Sequence, residues 1–171
     1  MKFETLYHRH ADSVFNLCLH YLHGYSDAED ATQDIFIKIY QKIDTFRAAS
    51  SPKTWIYRIA INHCLDVLKS KKRQHRLAYI QSILGLKSMR QAALSTKEHP
   101  GIILEQKEAT IALLAKVDQL PDQQKTALIL SKIDGLSYKE VAQIMQKSPK
   151  SIESLVQRAK KNLKNSMYTE G

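Results

Sequence analysis

Apolar residues recur three to four positions apart along most of the chain, which is the spacing of amphipathic α-helices. Short polar segments interrupt this pattern, and no segment is rich in strand-forming residues. The predicted helices cover about residues 3–23, 26–44, 53–73, 105–118 and 123–133, with two short helices within 136–164. The pattern therefore predicts an all-α fold.

Polar residues mark where several of these helices begin and end. Ser137 and Glu140 have the spacing of a capping box, in which the hydroxyl and the carboxylate each accept from an otherwise unpaired backbone N–H. Ser26 and Glu29 have the same spacing, and Gly24 is placed to end the first helix. These signals predict a helix start at Ser26 and another at Ser137.

Two further helices should begin at a serine cap followed by proline. Proline suits the first helical position, because the N–H that it lacks would have no partner there. Ser51-Pro52 and Ser148-Pro149 both fit this rule. The second start, together with the capping box at Ser137, places two short helices across a tight turn. This arrangement is typical of a helix-turn-helix that binds DNA.

The second helix of this pair has an apolar stripe and a polar outer face. The stripe should be buried and consists of Ile152, Leu155, Val156, Ala159 and Leu163. The residues free to contact bases and phosphates are Lys150, Ser151, Ser154, Gln157, Arg158 and Lys161. A helical hairpin with a merely solvated face is the alternative. Glu153 favours that alternative because it would repel phosphates, although a carboxylate can also accept from a cytosine amino group.

The charge of the chain is concentrated rather than spread. The formal net charge is +9, which indicates an acidic partner, either nucleic acid or an anionic membrane. Residues 1–70 contain equal numbers of basic and acidic residues, whereas 71–97 contain seven basic residues and no acidic one. Residues 77–104 include Gly85, Pro100 and Gly101 and have weak periodicity, so a basic linker between two small helical domains is predicted.

Few side chains are arranged for catalysis or for metal binding. Asp27, Asp30 and Asp34 have helical spacing that could gather carboxylates around Mg²⁺, which would make the protein a metal-dependent enzyme. No second acidic cluster supports this, so a solvated helix face is the better interpretation. Cys18 and Cys64 lack metal-ligand spacing and predict no disulfide framework. We predict no catalytic residue, metal or cofactor.

No apolar run is long enough for membrane insertion, and no signal peptide is evident, so a cytoplasmic location is expected.

One predicted helix places aromatic rings beside a cation. Trp55 and Arg58 are neighbours at a spacing of three residues, and Tyr57 lies to the side. Unpaired bases stack on aromatic rings while their phosphates meet positive charge, so this arrangement suits melted DNA. The alternative is that Trp55 and Tyr57 are core residues, and the sequence leaves both interpretations open.

Taken together, these segments resemble a bacterial RNA polymerase sigma factor of the extracytoplasmic-function class, group 4 of the sigma-70 family. The segments that carry the resemblance occur in order and span nearly the whole chain. They are residues 27–36 (DAEDATQDIF), 46–47 (FR) with 54–62 (TWIYRIAIN), and 120–121 (LP) with 134–142 (DGLSYKEVA). The first resembles the polymerase-binding helix, the second the promoter-melting segment, and the third the C-terminal helix-turn-helix domain.

This resemblance implies a transcription initiation factor with no catalysis of its own. Residues 1–76 would form a sigma-2-like domain that binds core RNA polymerase, recognises the −10 element and melts it. Residues 77–104 would be the linker, and 105–171 a sigma-4-like domain for the −35 element. The implied partners are core RNA polymerase, promoter DNA and an anti-sigma factor. A stand-alone helix-turn-helix regulator that binds duplex operator DNA is the alternative.

The resemblance also implies a role for particular residues. The implied polymerase-binding residues are Asp27, Asp30, Gln33, Asp34, Ile37 and Tyr40. The implied −10 residues are Arg47, Ala48, Ala49, Ser50, Ser51, Trp55, Tyr57, Arg58 and Asn62, of which the loop 47–51 would capture a flipped base. The basic stretch implied to follow phosphates is Lys69, Lys71, Lys72, Arg73 and Arg76. The implied −35 contacts are Lys150, Ser151, Ser154, Gln157, Arg158 and Lys161.

The chain departs from the family pattern at two positions of the predicted recognition helix. Many members have Lys or Arg at the positions of Glu153 and Leu155, where this chain has an acidic and an apolar residue. The usual −35 contacts therefore cannot all be carried over. We expect a different −35 sequence or a smaller contribution of this domain to promoter affinity.

Overall fold

The computed structural model of the protein describes residues 2–46, 49–83 and 113–168, and it describes no side chains for 79–83 and 168. Helices make up the regular structure of these ranges, as the sequence predicts. They are α1 (Phe3–Leu22), α2 (Tyr25–Lys42), α3 (Pro52–Ile83), α4 (described over 113–118), α5 (Asp122–Leu128), α6 (Tyr138–Met145) and α7 (Pro149–Tyr168). A short 3₁₀ turn, Ile43–Thr45, follows α2, and a π turn, Ile129–Ile133, follows α5.

The chain divides into two units. The first contains α1, α2 and the part of α3 that begins at Ile59, and the second contains Asp44–Arg58 together with α4 to α7. The sequence had grouped Asp44–Arg58 with the preceding helices. The structure groups this segment differently because Lys53 and Arg58 contact α6. The functional boundaries at 76 and 104 remain a prediction.

The first unit is built on the apolar faces that the periodicity predicts. Val14 and Leu17 of α1 and Ile35 and Ile39 of α2 are fully buried. Removing such side chains from water is the main favourable term in folding, at roughly 25 cal/mol for each Å² of apolar surface. The burial leaves the opposite face of α2 available to a partner.

The predicted boundary between α1 and α2 is wrong in detail. His23, not Gly24, takes the left-handed conformation that ends α1, with φ at 61°. Gly24 is extended and caps α2, and its carbonyl accepts from the Ala28 N–H at 3.0 Å. Ser26 lies inside the first turn and forms no capping box with Glu29, because α2 already begins at Tyr25, with only His23 and Gly24 between the helices.

The other three predicted helix starts are confirmed. Ser137 and Glu140 form a complete capping box at α6. The Ser51 hydroxyl accepts from the Thr54 N–H at 3.1 Å, and the Ser148 hydroxyl accepts from the Ser151 N–H at 3.2 Å. The end of α3 differs from the prediction, because the helix continues past about residue 73 to Ile83 and enters the segment predicted as linker.

Candidate nucleic-acid and docking surfaces

α6 and α7 form the two helices of a helix-turn-helix. α6 ends at Gln146, which takes the left-handed conformation with φ at 55°. The Lys147 N–H then donates to the Ala142 carbonyl at 3.0 Å, which closes the helix end. α7 begins at Pro149, directly after the Ser148 cap. The start of α7 was therefore predicted from the sequence, whereas the left-handed Gln146 that ends α6 was not.

The inner face of α7 confirms the predicted burial of Leu155 on the apolar stripe. Ile152, Val156 and Ala159 are fully buried, and Leu155 is 8% exposed. Leu155 is therefore a core residue and does not replace a DNA-contacting cation. Of the two departures from the family pattern, only Glu153 lies on the exposed surface.

The outer face of α7 holds the predicted −35 residues together. The exposed members are Lys150, Ser151, Gln157, Arg158 and Lys161. Ser154 is half-buried, and its hydroxyl donates to the Lys150 carbonyl at 3.0 Å. Sequence reasoning missed two more exposed cations on this helix, Lys160 and Lys164, because they lie off the predicted face. The surface can bind a polyanion and present polar groups to bases.

All six predicted polymerase-binding residues lie on α2, and five are exposed. The exposed members are Asp30, Gln33, Asp34, Ile37 and Tyr40. Ile37 is 55% exposed and Tyr40 is 64% exposed. The Tyr40 ring packs edge-on against Phe3 of α1, with the centroids 5.3 Å apart. The face thus combines carboxylates with apolar side chains, as a protein-docking surface does.

Asp27 and Lys71 form an ion pair with each other, although the sequence assigned Asp27 to polymerase binding and Lys71 to DNA phosphates. The Lys71 amino group donates to the Asp27 carboxylate at 2.6 Å, between α3 and α2. The prediction placed Lys71 among the phosphate-contacting residues. In the structure its charge is paired, because its side chain points toward α2. The remaining members of the basic stretch, Lys69, Lys72, Arg73 and Arg76, are exposed.

His63 lies between a cation and a carboxylate in the first unit. The Lys38 amino group is 2.6 Å from His63 Nδ1 and can only donate, so Nδ1 is the acceptor of a neutral ring. His63 Nε2 then carries the proton and faces the Asp34 carboxylate at 3.6 Å. Burial and the Lys38 charge lower the pKa of His63, and Asp34 and Asp66 oppose this shift.

The lowered pKa of His63 makes the stability of the first unit dependent on pH. The unfolded chain binds more protons than the folded one between the folded pKa and about 6.5, the unperturbed value. The free energy of unfolding should therefore be fully maintained above about pH 6.5 and should fall as the pH drops toward the folded pKa. His63→Gln should flatten this part of a urea-unfolding pH series, whereas His8→Gln at an exposed position should not. A wild-type slope in His63→Gln would contradict the assignment.

The predicted −10 loop is described only in part. Arg47 and Ala48 lie outside the described residues. Ala49 and Ser51 are exposed, and Ser50 is half-buried. The Ser51 hydroxyl caps α3 and is therefore already hydrogen-bonded to the helix backbone. The structure therefore gives Ser51 a structural role beside the predicted one.

The aromatic residues of α3 are not equally available to bases. Trp55 is half-buried, and its ring lies 5.0 Å from that of Phe46. Tyr57 is 5% exposed, and the Lys53 amino group lies 5.9 Å from its ring centre. The core alternative is therefore correct for Tyr57, because neighbouring side chains cover the ring and leave no face for a base. Asn62 is exposed.

Arg58 and Lys53 contact α6 within the second unit. Arg58 donates to the carbonyl oxygens of Gln143 at 2.6 Å and Ile144 at 3.2 Å. These carbonyls lie at the C-terminal end of α6, where a cation is favoured by the helix dipole. Lys53 pairs with Glu140 at 3.3 Å. Sequence reasoning missed these contacts because more than eighty residues separate the partners.

The described residues contain no cluster of three or more His, Cys, Asp or Glu side chains that converge as metal ligands. The acidic side chains of α2 that suggested Mg²⁺ include Asp27, paired with Lys71, and Asp34, near His63. Within the same ranges, none of the helices combines the length and apolarity needed to cross a membrane.

Comparison with known proteins gives a consistent result. Residues 6–74 match the model of sigma-70 region 2, and residues 110–163 match that of sigma-70 region 4. The chain is 29% identical over 163 residues to the ECF RNA polymerase sigma-E factor of Escherichia coli K12, covering 95% of this chain and 85% of the relative.

Two solved structures share the fold. One is CnrH in complex with the cytosolic domain of CnrY, with a TM-score of 0.67 and 18% identity, covering 99% of this chain and 89% of that one. The other is the sigma factor RpoE in complex with the anti-sigma factor NepR from Bartonella quintana. Its TM-score is 0.63 at 22% identity, covering 95% of this chain and 94% of that one.

Proposed function

This chain belongs to the sigma-70 family, in its extracytoplasmic-function group, and directs RNA polymerase to promoters; we propose that three surfaces divide this work. One surface, on α2, binds core RNA polymerase. A second, on the 47–51 loop and α3, recognises and opens the −10 element. The third, on α7, recognises the −35 element. The observation that carries the proposal is the capped helix-turn-helix with an exposed cationic face, in a chain whose α2 presents an acidic and apolar face.

The polymerase-binding surface is the exposed face of α2. Asp30 and Asp34 supply charge that orients the complex, and Ile37 and Tyr40 supply apolar area that becomes buried on binding. Phe3 supports the Tyr40 ring from α1 and so limits the conformational freedom that binding would remove. Asp27 contributes less to docking, because Lys71 already neutralises it.

The −10 surface combines selection of a base with attraction of the opened strand. Residues 47–51 capture the flipped base, and Trp55 and Asn62 of α3 take part in recognition and melting. Lys69, Lys72, Arg73 and Arg76 are spaced so that they share one face of α3, where they attract phosphates. Tyr57 supports this helix from the core and does not stack on a base.

The −35 surface is the outer face of α7. Lys150, Arg158 and Lys161 contact phosphates, and Ser151 and Gln157 lie where base edges are reached. Glu153 is exposed on the same helix, so it penalises any register that brings it beside a phosphate. It accepts a hydrogen bond where the groove presents a cytosine amino group, which makes it a determinant of the −35 sequence.

The remaining assignments follow from this role. Residues 1–76 carry the polymerase and −10 functions, 77–104 link the domains, and 105–171 carry the −35 function. The protein acts in the cytoplasm, where its polymerase is, and catalyses no reaction itself. It is also held by an anti-sigma factor; the complex of RpoE with the anti-sigma factor NepR supports this, since RpoE has the same fold.

The test of the function is promoter-dependent transcription by a defined core enzyme. Core polymerase plus this protein should yield discrete transcripts from genomic fragments that core alone does not transcribe specifically. The protein without polymerase should bind the same duplex fragments weakly. Tight binding of duplex DNA by the free protein, with no transcript formed, would favour a stand-alone helix-turn-helix regulator.

Arg158→Ala should weaken promoter binding by the polymerase complex and reduce its salt dependence. Loss of one phosphate contact lowers the slope of log K against log salt by about 0.9. The measurement is a salt titration of promoter affinity by fluorescence anisotropy. Arg9→Ala, at an exposed cation on α1, is the matched control and should leave the slope unchanged. An unchanged slope in Arg158→Ala would remove this residue from the phosphate-contacting set.

A further inference from the structure

The two cysteines of the chain lie in contact in the core of the first unit. Cys18 is on α1 and Cys64 on α3, and both are fully buried. Their sulfur atoms are 3.8 Å apart, and both are reduced. A disulfide bond requires about 2.05 Å between the sulfur atoms, so the two sulfurs have to move closer by roughly 1.8 Å. Neither the polymerase-binding nor the DNA-binding surface uses either thiol.

The two thiols differ in character. The Cys64 S–H donates to Cys18 Sγ, which stabilises negative charge on Cys18. This hydrogen bond lowers the pKa of Cys18 against the opposing effect of burial. A thiolate is the form that reacts with oxidants. Cys18 is therefore placed as the attacking sulfur and Cys64 as its neighbour.

We propose that Cys18 and Cys64 form a reversible oxidation site that reacts with hydroperoxides and closes to an intramolecular disulfide. The Cys18 thiolate attacks the distal peroxide oxygen, the O–O bond breaks, and the leaving alkoxide or hydroxide takes a proton to give an alcohol or water. Cys18 is then a sulfenic acid. The Cys64 sulfur attacks it, the S–O bond breaks, and the departing oxygen leaves as water with the Cys64 proton. Both cysteines are oxidised by one peroxide, which is reduced.

The disulfide would join α1 to α3 and enclose α2 in the loop between them. A cross-link of this kind stabilises mainly by restricting the unfolded chain. The oxidised protein should therefore unfold at higher urea concentration than the reduced protein. Because both sulfurs are fully buried, oxidation requires a local opening of the helices, and it should be slower than that of an exposed thiol.

The test uses the full chain and hydrogen peroxide as the probe. Intact-mass spectrometry under native conditions should show a decrease of two hydrogen atoms in the monomer, and the titratable thiols should fall from two to none. Peptide mapping should join the peptides of Cys18 and Cys64, and dithiothreitol should restore both thiols. Addition of oxygen to either cysteine, disulfide-linked dimers, or no reaction at peroxide concentrations that oxidise a small-molecule thiol would each overturn the proposal.

Two variants test the order of attack. Cys64→Ala should stop at the Cys18 sulfenic acid, which dimedone traps as a stable adduct. Cys18→Ala should give much less adduct at Cys64 in the same time, since the hydrogen bond that favours the thiolate is lost. Circular dichroism establishes that each variant is folded before comparison, and the wild-type mass experiment decides the proposal even if neither variant folds. Equal or faster trapping at Cys64 would overturn the role of Cys18.

Discussion

Tyr40→Ala should weaken binding of this protein to core RNA polymerase by about 30-fold, equivalent to about 2 kcal/mol. Tyr40 is 64% exposed in the free protein, next to the exposed Ile37 one turn earlier on α2. Exposed tyrosine beside an apolar neighbour is the composition of an interface hot spot, because a rigid ring buries much area at little entropic cost. The loss should appear mainly as faster dissociation in a surface-binding assay with core enzyme.

Tyr25→Ala is a closely matched control for this prediction. Tyr25 lies on the same helix and has the same 64% exposure. Its ring packs against Phe15 at 5.1 Å, much as Tyr40 packs against Phe3 at 5.3 Å. Removing either ring therefore costs similar intramolecular contact. If both variants lost polymerase affinity equally, the effect would come from destabilised packing, and Tyr40 would not be part of the docking surface.

Arg58→Ala should slow promoter opening by about tenfold, equivalent to about 1.4 kcal/mol, and should leave binding to core polymerase nearly unchanged. The guanidinium group holds its charge on α3, four residues before the exposed Asn62. The opened strand offers phosphates and base edges that accept charge-assisted hydrogen bonds. The measurement is the rate of permanganate reactivity at unpaired thymines, with core affinity measured in parallel.

The contacts that Arg58 makes in the free protein determine which variant is a suitable control for Arg58→Ala. Its two hydrogen bonds to the carbonyls of Gln143 and Ile144 have to break before the group can meet DNA. Arg58→Lys keeps the charge but lacks the two-pronged geometry, so its opening rate should lie between wild type and Arg58→Ala. Equal loss of polymerase binding and of opening in Arg58→Ala would contradict the assignment to DNA melting.

Local signals in the sequence were sufficient for much of the fold. Ser51, Ser137 and Ser148 were predicted as helix caps and are confirmed, because a cap depends on a few adjacent residues. The end of α1, by contrast, was predicted wrongly at Gly24. A left-handed residue can end a helix without being glycine, and the sequence does not show that His23 takes this conformation.

Accessibility was the part of the site that spacing could not establish. Tyr57 and Trp55 lie two residues apart, yet Tyr57 is buried and Trp55 is half-buried. Lys71 and Lys72 are adjacent, yet Lys71 is paired with Asp27 and Lys72 is exposed. Residue type and helical period predict which face a side chain shares, but the neighbour that covers or pairs it comes from a distant part of the chain.

The sequence by itself determined the all-α class, the order of the helices, the helix-turn-helix and the likeness to sigma factors. Each of these depends on the local spacing of apolar residues or on short motifs, and such local patterns favour the same helices and turns in different proteins. Only the tertiary structure decided that Tyr57 is a core residue, that Arg58 holds the end of α6, and that Cys18 touches Cys64. These are contacts between segments far apart in the chain, and they exist only once the hydrophobic faces have packed.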